Sequence, residues 1–483
     1  MTGDDYADRD VVVVVIDALR TDGVGHLDGV SGVTPTIDAL AASGVTFPSA
    51  YSCINTTDPS LTTMETGLFP RTTGLVHHGQ QVTEREAAGL SGVPVLAECL
   101  RSAGYDTAAV DWLGRWHQRG FDAYTGRDGI HDYGAHDDDR DGADAESLAG
   151  RVADAVNDHR DVLPDTLFRL LRASYRRVVG SPGDKDAVED AETTTDRAID
   201  LLDRMDRPRY LFVHYWDVHA PYDTPQEFAC DALVPELSVD EAQVRADLDR
   251  IENDDRRRYV EEILEDGLSA ALRQYYGAVS YVDAELARLL EHVPDDAYVL
   301  VVADHGESLF EHGIFFEHHG LYEVNTHVPF VVDGPDVSGD TPSGFAQLCD
   351  LMPTVLGRVG VDHPPVDGID LCERLEAGLP LRDVAFAEEA QTQRRQMIRT
   401  SNYRYIRALD DSPCSYCGVR HGDETELYDL AADPNERANV AREHPDETAR
   451  HHDRLQTVLE ETTPVERVRI SQTLDRVARS PRL

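Results

Sequence analysis

Four residues, far apart in a chain of 483, could together hold a divalent cation and a nucleophile: Asp17, Thr57, Asp304 and His305. Two carboxylates and an imidazole form a mixed oxygen and nitrogen donor set suited to a dication. A hydroxyl set into such a shell loses its proton more readily and becomes nucleophilic. Thr57 lies in NTTDPSLTTMETG (55–67), which reads as a helix start. Asp58 is a natural N-cap, Pro59 suits the first helical position, Leu61, Met64 and Leu68 recur at helical spacing, and Gly67 lets the chain leave. On this reading Thr57 precedes the cap, and the helix behind it turns N–H groups and its positive dipole end toward an incoming anion. On these residues alone a surface helix with no chemistry is the default reading.

The elements that must position these groups are strands. VVVVVID (11–17) is a fully buried strand ending in an acid, and further apolar runs occur at 105–111, 209–217, 297–306 and 327–332. Helical patterns such as TPTIDALAASG (34–44) and GVPVLAECLRSAG (92–104) lie between them. Strands alternating with helices predict an α/β fold with a mostly parallel sheet covered on both faces. Polar groups gather at the carboxyl edge of such a sheet, where Asp17, Asp217, Asp304 and His305 fall. Acidic helical stretches over about 125–200 and 226–270 read as insertions or peripheral helices. From about 384 short strands and a closing helix near 440–461 suggest a smaller second domain, giving a catalytic domain over 9–380, a small one over 381–462 and a tail over 463–483.

Composition bounds the function. Formal net charge is -46, and of the 45 basic residues one is a lysine, Lys185. A dispersed acidic surface almost without lysine is expected of a protein adapted to high salt, the alternative being an acidic surface for a partner. Nothing would neutralise phosphates in bulk, so nucleic acid is not an expected partner. No segment approaches the roughly 20 apolar residues of a membrane span, and the first ten residues are polar and acidic; the expected location is the cytoplasm. Seven scattered cysteines make no disulfide framework.

Read together, VVVVVIDALRTDGVG, PSLTTMETGLFPRTTGL, HYWDVHAPY, VVADHGESLFEHGIFFEHHGLYEVNTHVPFVV and ELYDLAADPNERANVA resemble the sulfatases of the alkaline phosphatase superfamily, in the family's order from about residue 9 to 442. The resemblance implies an alkaline-phosphatase-like large domain with a central sheet between helices, a small C-terminal domain with an antiparallel sheet, and one metal ion at the sheet's carboxyl edge, without distinguishing Ca, Mn, Mg or Zn. It makes Asp17, Asp304 and His305 metal ligands, with Thr57 completing the shell as nucleophile. His219 in DVHAPY then binds the transferred group or protonates the leaving oxygen. His318 stands where many sulfatases place a lysine, with His319 as a competing assignment. Arg115 and His117 of GRWH match substrate contacts, with packing as the alternative, and surface ion pairing is the default for Arg20 and Arg71.

The sequence also departs from that family. A sulfatase needs cysteine or serine, converted to formylglycine, followed by Pro-Ser-Arg; here the position is Thr57 and the arginine is Leu61. Threonine cannot yield the aldehyde, whereas phosphodiesterases and phosphoryl transferases of the superfamily use a plain threonine alkoxide. Cys53 lacks the following Pro-Ser and reads as buried and inert. The reading is therefore a metal-dependent hydrolase of sulfate or phosphate esters on small-molecule, glycan or lipid substrates, with a phosphoryl or alkylphosphoryl transferase and a degenerate ligand-binding member as alternatives. Separately, CSYC (Cys414, Cys417), followed by His421, has the spacing of a structural zinc site or a redox pair, although two further ligands are not evident nearby. His214, inside a strand, reads as a core or pocket-wall histidine.

With a net charge of -46, unscreened repulsion should weaken the fold at low ionic strength. Unfolding midpoints should rise strongly from dilute buffer to molar salt; a flat profile would assign the acidic excess to a partner.

Overall fold

The computed structural model describes residues 9–27, 29–126, 129–132, 190–222, 224–228, 241–339 and 343–462. The first strands are β1 (Val11–Ile16), β2 (Val45–Thr46), β3 (Ala50–Tyr51), β4 (Asp106–Val110), β5 (Ala123–Gly126) and β6 (Gly129–Asp132). They are followed by β7 (Arg209–Tyr215), β8 (Tyr298–Val302), β9 (Phe330–Asp333) and β10 (Ala346–Gln347). Eight of them form one sheet in the order β2-β9-β8-β1-β7-β4-β5-β6, and β3 pairs with β10 separately. The central run β8-β1-β7-β4-β5 is parallel, while β9 and β6 join antiparallel at its two sides. All six residues of β1 are buried, because helices cover both faces of a central parallel strand. Its register against β8, Val11 opposite Tyr298 through Val15 opposite Val302, brings the two strand ends side by side.

Helix α1 (Pro35–Ser43) follows β1, and helix α2 (Thr57–Thr66) carries the proposed nucleophile. Within 226–270 the described helices are Glu241–Leu248 and Asp254–Ile263. The end of that stretch is not peripheral, however. Residues from Leu268 begin a 23-residue helix to Leu290 with a buried face. Its buried Asp283 accepts the N–H groups of Thr36 and Ile37 at 2.9 Å each, capping α1 from 247 and 246 residues away. Long-range capping of this kind leaves no local sequence signal. Of the expected insertion over 125–200, the helix Ala191–Leu202 packs beside β7, and residues 133–189 lie outside the described residues, as does the tail 463–483.

The C-terminal part is a four-stranded antiparallel sheet, β11 (Ala385–Glu389), β12 (Arg395–Arg399), β13 (Tyr403–Ala408) and β14 (Thr425–Asp429). The helix Pro445–Glu461 packs on it through Leu455, against Phe386, Ile398 and Tyr405. This sheet is fastened to the large one by polar bonds. Glu388 N donates to Cys53 O at 3.0 Å, and the buried Arg404 reaches Leu321 O at 2.5 Å, Thr326 Oγ1 at 2.9 Å and the Glu323 carboxylate. Among the described residues no helix is long and apolar enough to cross a membrane.

Candidate active site

Asp17 leaves β1 and Asp304 leaves β8 at the same sheet edge, both fully buried. Ala18 takes φ +59°, uncommon for a residue with a Cβ, and this turn aims its N–H at Asp304 Oδ1, 3.2 Å away. His305 N adds a second bond to that oxygen at 2.8 Å. Among the described residues Asp304 Oδ2 accepts no hydrogen bond, and it lies 3.2 Å from His305 Nε2. His305 Nδ1 is 3.0 Å from Gly306 O, a pure acceptor, so Nδ1 carries the proton and Nε2 a lone pair. That lone pair faces Asp304 Oδ2, Asp17 Oδ1 at 3.6 Å and Thr57 Oγ1 at 3.3 Å. Burial, then the neighbouring imidazoles His318 and His219, push His305 well below its ordinary pKa, and burial pushes Asp304 up. Two buried carboxylates around an imidazole lone pair repel one another until a proton or a cation joins them, and the donor set fits a divalent ion. The sequence-predicted quartet is thus brought together.

Helix α2 corrects two expectations. Its N-cap is Thr56, so Thr57 is the first helical residue and not the one before the cap. All ten of its residues are buried, and Thr57 is 1% exposed, so this is neither a surface helix nor an exposed hydroxyl. Pro59 has no N–H, that of Asp58 donates to His78 Nδ1 at 3.2 Å and that of Ser60 bonds Thr56 O at 3.1 Å, so of the first four helical residues Thr57 alone keeps an N–H for an anion. The helix is moored to the loop after β8 instead. Ser60 Oγ and Ser52 Oγ both donate to Asp304 O at 2.7 Å. Leu61 is buried in the core with Met64, so no cation stands where the family signature has arginine.

Asp58 does not cap the helix; its carboxylate, fully buried, collects neighbours. Arg115 Nη2 donates to both oxygens at 2.6 and 2.7 Å, His78 Nδ1 lies at 2.9 Å, His117 Nε2 at 3.1 Å and Gly79 N at 2.7 Å. Although burial raises it, hydrogen bonds from His117 and His78 hold Asp58 far below the usual carboxylate range. Arg115 also stacks on Trp116, 4.4 Å from the ring centre. Both residues read from sequence as substrate contacts, Arg115 and His117, are therefore spent on fixing the residue next to Thr57. His78, which sequence reading passed over, joins them; the pair His77-His78 before a glycine was the available signal.

His318 and His319 part company. His318 stacks on His305, centroids 4.1 Å apart and planes 22° apart, with its Nδ1 on Asn55 O. His219 stands 5.4 Å from His318 and 6.5 Å from His305, centroid to centroid. Burial pushes His318 down to about 4, so in the free protein it is neutral at pH 7 and not the standing cation expected in place of lysine. His319 stacks on Tyr416 and faces Cys414, Cys417 and His421. Consecutive residues of a non-helical stretch project oppositely, which sequence alone could not orient.

His214 is more than a wall. Its Nε2 makes no hydrogen bond among the described residues and lies 4.0 Å from Asp17 Oδ2, and with Asp17 and Asp304 it offers ligand atoms all within 4.8 Å. On its other side Asp111 Oδ1 and the Trp216 indole N–H both approach Nδ1 at 3.0 Å. The charge-assisted bond is roughly twice as strong, so Nδ1–H goes to Asp111 and Nε2 stays free to donate its lone pair. Arg20 is no surface ion pair either: it is buried, donating to Asp22 at 2.9 Å and Glu311 at 2.8 Å. Arg71 neighbours the buried Glu388, whose carboxyl burial pushes up to about 7. Cys53 is buried beside Gln347.

The sulfatase family model matches residues 9–361. The choline-sulfatase of Rhizobium meliloti is 24% identical over 470 residues, 89% of this chain and 82% of its own. The N-acetylglucosamine-6-O-sulfatase of Bacteroides thetaiotaomicron is 24% identical over 94% of this chain and 86% of its own. In fold, the phosphonate monoester hydrolase of Agrobacterium radiobacter superposes with a TM-score of 0.66 at 20% identity, covering 94% of this chain and 96% of that one.

Two outcomes follow from this geometry. Asp304→Ala should remove one divalent ion per chain by elemental analysis, and unchanged content would overturn the ligand assignment. Asp58→Asn should cost roughly 2–3 kcal/mol in chemical unfolding, the low side for a buried charge cluster because Arg115 is part-exposed; a change under about 0.5 kcal/mol would mean that Asp58 anchors nothing.

Proposed function

Because the chain belongs to the sulfatase family of ester hydrolases, we propose that it cleaves phosphate esters with Thr57 as an alkoxide nucleophile, assisted by one divalent ion. The observation that carries this reading is the position of Thr57 Oγ1, 3.3 Å from His305 Nε2 at the rim of the Asp17–Asp304 pair. Asp17, Asp304, His305 and, from the far side, His214 would hold the ion. When bound, it supplies positive charge that lowers the pKa of the Thr57 hydroxyl and offsets charge on the ester oxygens.

The residues then have distinct tasks. Thr57 Oγ attacks phosphorus in line, forming the Thr57 O–P bond as the bond to the leaving alcohol oxygen breaks. His219, at the half-buried mouth, gives that oxygen a proton. Water next attacks phosphorus from the vacated side, His219 takes its proton, and Thr57 Oγ departs. His318, neutral in the free protein, keeps Nδ1–H on Asn55 O and presents Nε2; a bound anion raises its pKa, so it accepts a proton as the ester enters. Ser52 and Ser60 hold the helix start against Asp304 throughout.

The choice of phosphorus over sulfur is chemical. A threonine sulfate cannot collapse as a formylglycine hydrate sulfate does, and it is hard to hydrolyse at sulfur, whereas a threonine phosphate is opened by in-line water. The named relatives act on sulfated choline and sulfated sugar, so small organic or glycan esters are the substrate classes to assay first.

Thr57→Ala should abolish turnover and leave the protein folded, because a buried hydroxyl facing His305 contributes about 1 kcal/mol. Thr57→Ser should retain appreciable phosphoesterase activity. Thr57→Cys should gain no efficient sulfatase activity. Wild-type protein that hydrolyses aryl sulfates well and phosphate esters poorly, compared by kcat/KM, would refute the reading.

A further inference from the structure

Outside the catalytic edge, one group of side chains has no task in the reaction. Cys414 and Cys417 follow β13, His421 comes four residues later, and His319 arrives from the large domain, nearly a hundred positions earlier. Each offers a ligand atom, all four within 4.8 Å of one another. Cys417 Sγ lies 3.0 Å from His421 Nε2. A tetrahedral ion with bonds of about 2.3 Å to sulfur and about 2.0 Å to nitrogen sets its ligand atoms roughly 3.3–3.8 Å apart, so small side-chain adjustments close the shell. All four residues are buried, at 2 to 5% exposure, and both cysteines are free thiols.

We propose that Cys414, Cys417, His421 and His319 bind a structural zinc ion that clamps the C-terminal domain to the loop carrying His318. Two thiolates and two imidazoles are a soft donor set, unlike the carboxylate-rich set at Asp17 and Asp304, and select zinc over calcium or magnesium. Four protein ligands leave no open position, so the ion is structural.

The backbone is built for it. Between the two cysteines the chain closes a tight turn, Gly418 N donating to Cys414 O at 2.9 Å and Cys414 N to Val419 O at 3.0 Å. Val419 N points at Cys417 Sγ, 3.4 Å away, a donor that a thiolate welcomes. Gly418 takes φ +79°, and a Cβ there would meet Glu252 Cβ at 2.8 Å, so glycine lets the turn press on the large domain. Glu252 N and Asn253 N both donate to Cys417 O, at 2.9 and 3.2 Å. Glu317 Oε2 stands 3.7 Å from His319 Nδ1, the kind of carboxylate to which a metal-bound imidazole turns its second nitrogen. The same Glu317 oxygen is 3.8 Å from His318 Nε2. A redox pair would account for the two cysteines but not for two imidazoles converging on them.

That the clamped loop carries a residue of the reaction rests on the catalytic reading above; the zinc site itself does not, and its test is independent of turnover. Full-length Asp304→Ala protein, purified without chelator, should still carry one zinc per chain. Replacing that ion with Co(II) should give the thiolate charge-transfer and tetrahedral d–d bands of an S2N2 site. Cys414→Ser should lose that zinc and those bands. Should the serine variant fail to fold, wild-type protein answers instead: a mercurial thiol reagent should release one zinc as it modifies the two cysteines, followed with a chromogenic chelator. Zinc-free Asp304→Ala protein, full zinc content in folded Cys414→Ser, or a Cys414–Cys417 disulfide in protein isolated without reductant would each overturn the proposal.

Discussion

Two carboxylates placed side by side inside a protein are unstable unless a positive charge joins them, and much of this molecule is arranged around that constraint. Asp17 and Asp304 end adjacent parallel strands, so neither can move away from the other without breaking the register of β1 on β8. The His305 lone pair is held toward them by its bond to Gly306 O. Removing these groups from water costs several kcal/mol per charge unless they are compensated. Apolar strands fix the positions, and on the proposed function the binding of a cation would recover the cost.

The proposed nucleophile is held by different means. Thr57 sits on a buried helix tied to the Asp304 carbonyl through Ser60, with Ser52 of the preceding segment on the same oxygen, and through Asp58 to a group of basic side chains. These bonds set where the hydroxyl stands relative to His305, a matter in which a shift of about 1 Å can cost a hundredfold in rate. Leu61 in the hydrophobic core and a threonine in place of an aldehyde precursor both depart from the sulfatase signature. The cation that the family signature would place on this helix is absent, and imidazoles occupy the mouth instead.

The strands and their acidic ends were legible because period, burial and the carboxyl-edge rule all act locally: VVVVVID states both a central strand and the acid that follows it. Thr57 was legible as a residue at a helix start, but its burial was not, since a short polar helix looks the same in sequence whether it faces water or other chain segments. Asp58 looked like a cap because Asp before Pro commonly is one; the structure gives the cap to Thr56 and spends the carboxylate on residues 20 to 59 positions away. His214 and His319 were the hardest. Their roles depend on which side of the backbone each ring faces and on partners distant in sequence, and neither carries a motif.

The central claim is that a substrate group passes through Thr57 Oγ. It is tested most directly by acid-quenching wild-type protein during turnover of a phosphate ester and mapping the modified peptide by mass spectrometry. The account predicts a phosphorylated peptide spanning the Thr57 helix, with the phosphate on Thr57, formed within one turnover and absent from Thr57→Ala. Steady turnover with that peptide unmodified at every time point, or with phosphate on another residue, would contradict it.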